Sequence, residues 1–257
     1  MKKHLVLLVT ILLLSIINTH GQSAQEIMKK SSDIISLDAM EMVSTLKIFN
    51  EKGTERTRKM ATISKKFGQT TKMIMKFTEP ADVRGTAILI YDYENQNDDM
   101  WIYLPAIRKS RRVVSSDKGR NFMGSEFTNS DMSKPNPDDF SYKILGDVTI
   151  DSKECWKIES TPKSEALNSE YGFSKRISLV DKQDFHVFEI EYHDLKGNLQ
   201  RKELLKDYKK MANGKYISCY MEMSNLQNKR KSILLIDNFQ SGSTATEAYF
   251  SPAMLEK

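Results

Sequence analysis

The residues with chemistry to offer are two histidines, some paired acids, a serine in a small-residue turn, two cysteines and one cationic run. His186 and His193 lack the H-E-x-x-H spacing that sets two imidazoles on one helix face, and each adjoins a turn, so both read as solvated loop-end side chains. Gly124-Ser125-Glu126 lacks the second glycine and the strand-to-helix setting of a nucleophile elbow. Asp98-Asp99 and Asp138-Asp139 sit in polar turns without the alternate ligands and glycine of a calcium loop. There is no glycine-rich phosphate loop. The inventory leads to no catalytic residue, no metal site and no cofactor, and the expectation is a protein that is not an enzyme. Cys155 and Cys219 are an even pair that permits one disulfide in an oxidising compartment, or two free thiols packed as small hydrophobes.

Arg108, Lys109, Arg111 and Arg112 place four cations in five positions. Arginine forks match phosphate and carboxylate oxygens, so the cluster reads as a site for an anionic headgroup or an acidic partner surface, or as a solvated turn. The chain carries 14 methionines, and Met42, Met73, Met75, Met100, Met221 and Met223 fall on strand faces. A flexible, polarizable side chain suits an adaptable apolar surface, and it also suits an irregular core.

The elements that must hold these residues are mainly strands. Ser23 and Glu26 form a capping-box pattern ahead of a short amphipathic helix. From Met40 the apolar period becomes two, with turns at Glu51–Gly53 and Phe67-Gly68, and Thr71 to Thr78 returning after them. The central stretch runs from Gly85 to Met132. Its first strand, Gly85 to Asp92, is apolar on both faces and so needs cover on both sides. Met100 to Leu104 follows, carrying Trp101 and Tyr103, and Pro105 ends it. The basic turn comes next, then Phe122 to Phe127, a small-residue turn bracketed by large apolar side chains and read as an aromatic flap. Beyond the loop Ser133–Asp139, six more strand-like runs alternate with turns, among them Gly146-Asp147, Asp181–Asp184, Lys196–Asn198 and Ala212–Gly214. A last run spans Lys231 to Phe239, with a short apolar tail after it. A sheet this large must curl or close.

Lys2 and Lys3, the apolar run Leu5 to Ile17 and the small polar residues after it form the three-part pattern of a signal peptide over residues 1–21. The run is short for a bilayer span, and no cysteine stands near the cleavage point for lipid attachment. Residues 22–257 then form one exported domain. The net charge of +5 falls by two with the leader, a balanced surface that excludes a nucleic-acid footprint.

The series G-T-A-I-L-I-Y-D, M-W-I-Y-L-P-A-I-R-K-S-R-R and F-M-G-S-E-F-T-N-S-D-M resembles the bacterial outer-membrane lipoprotein-sorting family. Its members are similar to the periplasmic lipoprotein carriers LolA and LolB. The match covers mainly Phe77 to Leu145 and more loosely the strands to Phe239. The resemblance implies a half-open antiparallel β-barrel around short helices, with an apolar cavity for acyl chains and an association with membrane transporters of the resistance-nodulation-division (RND) type. Trp101, Tyr103, Leu104 and Pro105 match the W-I-Y-L-P element, and Phe122 to Ser125 match F-M-G-S. The cavity is expected to be lined by Met42, Met73, Met75, Trp101, Tyr103, Phe122, Met123, Phe127, Met221 and Met223. The function this implies is a monomeric periplasmic carrier of lipid or acylated lipoprotein, in transient contact with membranes. The other reading is an envelope sensor or adaptor that binds a partner protein and carries no lipid.

Overall fold

The computed structural model describes residues 22–94 and 96–256, so the expected leader at 1–21 lies outside the described residues. The chain enters through α1 (Ala24–Ile34), capped as its sequence predicts: Ser23 accepts from the Glu26 amide and the Glu26 carboxylate accepts from the Ser23 amide. Five strands follow: β1 (Ala39–Phe49), β2 (Glu55–Phe67), β3 (Thr70–Glu79), β4 (Ala87–Tyr93) and β5 (Asp99–Leu104). The basic stretch departs from its expected turn. Pro105–Ile107 makes one 3-10 turn, Arg108 takes the left-handed conformation at φ 48°, and the cations after it lie in a strand, β6 (Lys109–Val113).

Residues 114–139 form no strand of the sheet; they hold the one-turn helix α2 (Ser115–Lys118) and three 3-10 turns. β7 (Phe140–Ile150) absorbs the expected turn at Gly146-Asp147 as a register shift, and the chain reverses instead at Asp151 and Ser152, both at positive φ. β8 (Lys153–Pro162) is followed by α3 (Glu165–Tyr171), a helix the sequence reading lacks, capped by Ser164 and stopped by Gly172 at φ 76°. The remainder is β9 (Lys175–Asp181), β10 (Val187–His193), β11 (Leu199–Lys210), β12 (Tyr216–Asn225) and β13 (Arg230–Ser241).

All thirteen strands join one antiparallel sheet in the order β6-β5-β4-β3-β2-β1-β13-β12-β11-β10-β9-β8-β7. Among the described residues every neighbour is a sequence neighbour except β1 with β13, so the meander is circular and breaks between β6 and β7. Side chains from both ends of that order meet in one apolar cluster, Met100 and Val113 from one edge and Phe140 from the other. They can touch only because the sheet curls, as right-handed strand twist demands of one so wide. α1 covers part of the inner face with Ala24 and Ile27 against Ile158 and Val180. The fold is mainly β with short helices inside a curled, unclosed sheet.

Candidate functional site

Strands β3, β4 and β5 separate their side chains strictly by parity. Met73, Met75, Phe77, Ile88, Ile90, Met100 and Ile102 belong to the inner cluster. Ile74, Ala87, Leu89, Tyr91, Trp101 and Tyr103 belong to a second cluster on the outer face, closed by Phe250 and Leu255 of the C-terminal tail. Tyr91 donates to the Phe250 carbonyl at 2.6 Å and meets Trp101 edge-on at 5.0 Å. Cover on both faces is what the doubly apolar run of β4 requires. Trp101 and Tyr103 therefore do not line an inner cavity, because period-two alternation turns them to the other side from Met73 and Met75.

The Phe122 to Phe127 segment is a plug rather than a flap. Phe122 and Phe127 are buried in the inner cluster with Phe77, Met75 and Met223. The chain is fastened there by polar groups from four strands. Arg201 on β11 donates at 3.0 Å to the Glu126 carbonyl and at 3.0 Å to Asp131. The Glu126 carboxylate accepts from Asn225 at 2.8 Å and pairs with Arg230 at 3.0 Å, while its amide donates to Ser232 at 2.9 Å. Arg58 donates to the Met123 carbonyl. Beside Arg201, Tyr192 donates at 2.8 Å to Glu203, whose carboxyl is pushed up to about 7 by burial and then by the charge of Asp131. A buried network holds its geometry only when its members satisfy one another. Arg201 and Glu203 escape a reading by motif; their signal is an R-x-E-x-L alternation on a strand that must face a core.

With the plug in place, Met75, Phe122, Phe127 and Met223 are closed off, whereas Met42, Met73, Met123 and Met221 remain half-buried. The register shows where the inner face stays open. Leu46, Leu234, Met221 and Leu205 stand opposite one another across β1, β13, β12 and β11, and Met42 stands opposite Phe239. Leu46 is buried, but Leu234, Met221 and Leu205 are half-exposed. One row nearer the plug, Ser232, Met223 and Glu203 are all buried. Burial on the inner face thus falls from complete at Met223 to partial at Met221, which with Leu205 and Leu234 packs on the margin of the inner cluster. A separate cleft of about 460 Å³ opens on the plug's other side, and Arg120, Asn121, Asp194, Lys196 and Arg201 make it polar.

The cationic cluster divides between the two faces of β6. Lys109 and Arg111 pair with Leu104 and Ile102, which turns them inward, and Arg112 pairs with Trp101 on the outer side. Arg112 forms an ion pair with Asp99, and Arg111 lies 3.9 Å from Asp117. Cys155 on β8 and Cys219 on β12 are free thiols four strands apart in the sheet, so of the two readings the unpaired one holds. His186 is not solvated: it is buried against Tyr208, and desolvation lowers its pKa. Asp181, Asp184 and His186 form the group with metal-ligating types in reach of one another among the described residues.

A family model described as "Uncharacterized protein" matches residues 69–257. A search of curated proteins returned no match. Among solved structures, an outer membrane lipoprotein-sorting protein domain from Vibrio parahaemolyticus aligns with a TM-score of 0.84 at 24% identity, over 91% of this chain and 98% of that one. A DUF1329 family protein from Desulfovibrio piger aligns with a TM-score of 0.83 at 26% identity, over 90% and 97%. A LolA superfamily protein from Nitrosomonas europaea aligns at 0.73 and 19% identity, over 91% and 100%. The curled sheet with helices inside it is the fold these proteins share. The chain belongs to the uncharacterized-protein family whose model spans its residues 69–257, and it has the fold of the lipoprotein-sorting proteins.

Proposed function

We propose that the protein is a periplasmic carrier of lipid or acylated lipoprotein, and that acyl chains lie along the partly buried row Leu205, Met221 and Leu234 at the margin of the inner cluster. The observation that carries this reading is the partly buried apolar row on the inner face of an unclosed sheet. Two inter-strand steps make the row about 10 Å long. Seven or so methylenes laid on it would gain roughly 6 kcal/mol before ordering costs. The inward cations Lys109 and Arg111 would meet anionic headgroups or an acidic docking surface, an RND-type membrane transporter being the partner that suits an envelope carrier. One domain over residues 22–257, delivered by a cleaved leader at 1–21, completes this reading.

The test is native mass spectrometry of protein from its own compartment, followed by uptake of a fluorescent acyl lipid by delipidated protein. Met221→Asp should abolish uptake, and Trp101→Ala, under the outer tail, should leave it intact. Uptake lost with Trp101→Ala and kept with Met221→Asp would overturn the site. The buried plug favours a second reading, an adaptor that binds a protein with its closed surface; protein that arrives empty and refuses every acyl probe would favour it.

A further inference from the structure

We propose that Asp181, Asp184 and His186 bind a first-row divalent cation, zinc being the closest fit, at the turn between β9 and β10. The hairpin itself assembles the ligands. Asp181 closes β9 and donates its amide to the His186 carbonyl at 2.8 Å, and the Phe185 amide returns to the Asp181 carbonyl at 3.0 Å. Those bonds bring one oxygen of each carboxylate and one ring nitrogen of His186 within 4.8 Å of one another. A tetrahedral zinc with ligands near 2.0–2.1 Å sets them about 3.4 Å apart, so a small inward closure suffices, with water in the remaining position. An imidazole with two carboxylates selects zinc and its first-row neighbours over calcium or magnesium, which prefer oxygen alone.

The histidine supplies an observation independent of the acids. His186 is 6% exposed and its ring is clamped in orientation, stacked on Tyr208 at 4.2 Å and met edge-on by Tyr216 at 4.4 Å. Its Nε2 is fully buried and has no hydrogen-bond partner. Buried imidazole nitrogens are ordinarily satisfied, and aromatic packing alone gives no reason for a histidine here. Asp181 is 3% exposed and holds the Lys153 ammonium 3.4 Å away. Lys153 supplies the counter-charge when no metal is bound. Its own side chain is half-exposed, so it can leave for solvent when a dication arrives.

The experiment uses tag-free mature protein stripped with a chelator, with zinc chloride as the probe and thermal unfolding as the readout. Saturating zinc should raise the midpoint by at least about 4 °C. Asp184→Asn, at a half-exposed position that keeps the fold, should remove the shift. Lys153→Met, which deletes the competing cation, should lower the zinc concentration needed to reach half the shift. Cobalt should give the visible absorption of a nitrogen- and oxygen-ligated ion in the wild type and not in Asp184→Asn. No zinc shift in the wild type, or an equal shift in Asp184→Asn, would overturn the proposal.

Discussion

Glu203 is where pH acts most directly on this fold. Its carboxyl is pushed up to about 7, against a usual value near 4.3, so the folded state binds its proton more tightly than the unfolded chain does. Stability therefore falls as pH rises from about 4.3 to about 7, and the charged form costs on the order of 3 kcal/mol above that window. Asp92, also raised to about 7 by burial and then by Asp98, adds a loss of the same sign over the same range. Glu203→Gln keeps an acceptor for the Tyr192 hydroxyl and removes the titration. In urea unfolding it should be more stable than the wild type at pH 8, by about 1–3 kcal/mol, and nearly equal to it at pH 5. A variant weaker at both pH values would mean that the charged carboxylate is needed beside Arg201. The adjoining Arg201 holds both the Glu126 carbonyl and Asp131, so Arg201→Ala strips a buried carbonyl of its donor and the half-buried Asp131 of its counter-charge, leaving it only the Thr128 amide, and should cost about 3–5 kcal/mol in the same assay.

Two contacts between elements are tight enough to test singly. Gly119, after α2, lies against Gly172, after α3, so closely that a Cβ on Gly119 would sit 2.7 Å from the Ser169 carbonyl oxygen and 2.8 Å from the Gly172 Cα. Both neighbours are backbone and cannot swing aside, so Gly119→Ala should destabilise by about 1–3 kcal/mol, read as a lower urea midpoint at unchanged slope. The C-terminal tail is the second contact. Phe250 is buried against Phe67, Leu89 and Ala87, and Phe250→Ala should cost about 3–5 kcal/mol. This element shows how far the sequence could be read. The two apolar faces of Gly85 to Asp92 announce cover on each side, and that is borne out; nothing local says that one cover comes from residues some 160 positions later. Likewise α3, with seven residues, is too short to show a helical period. His186 looks solvated beside its turn until the distant strands β11 and β12 bring Tyr208 and Tyr216 onto it. Alternation fixed the parity of Met73, Met75 and Trp101, but deciding which parity faces inward needed the tail and the plug.

At the scale of the molecule, the gap in the sheet and the plug inside it have one origin. β6 and β7 are consecutive in the chain, and the residues between them, 114–139, turn into the interior instead of bridging the edges by a hairpin. A barrel whose filling enters through its own seam cannot close along that seam. Two strand edges are therefore left with unpaired backbone, and such edges invite pairing with another copy. β6 is short, and Lys109 and Arg111 point inward from it beside Leu104 and Ile102. A second strand docking there would have to bury or displace both cations, and inward charges on a short edge strand are a known deterrent to such pairing. Replacing both with valine (Lys109→Val with Arg111→Val) should leave the β5–β6 ladder intact, since its hydrogen bonds are backbone. It should also make the protein associate more steeply with rising concentration than the wild type does, measured by light scattering after size exclusion. A double variant that associates no more than the wild type at the highest concentration would place the protection elsewhere, in the twist of the seam or in the outward Arg112 and its partner Asp99.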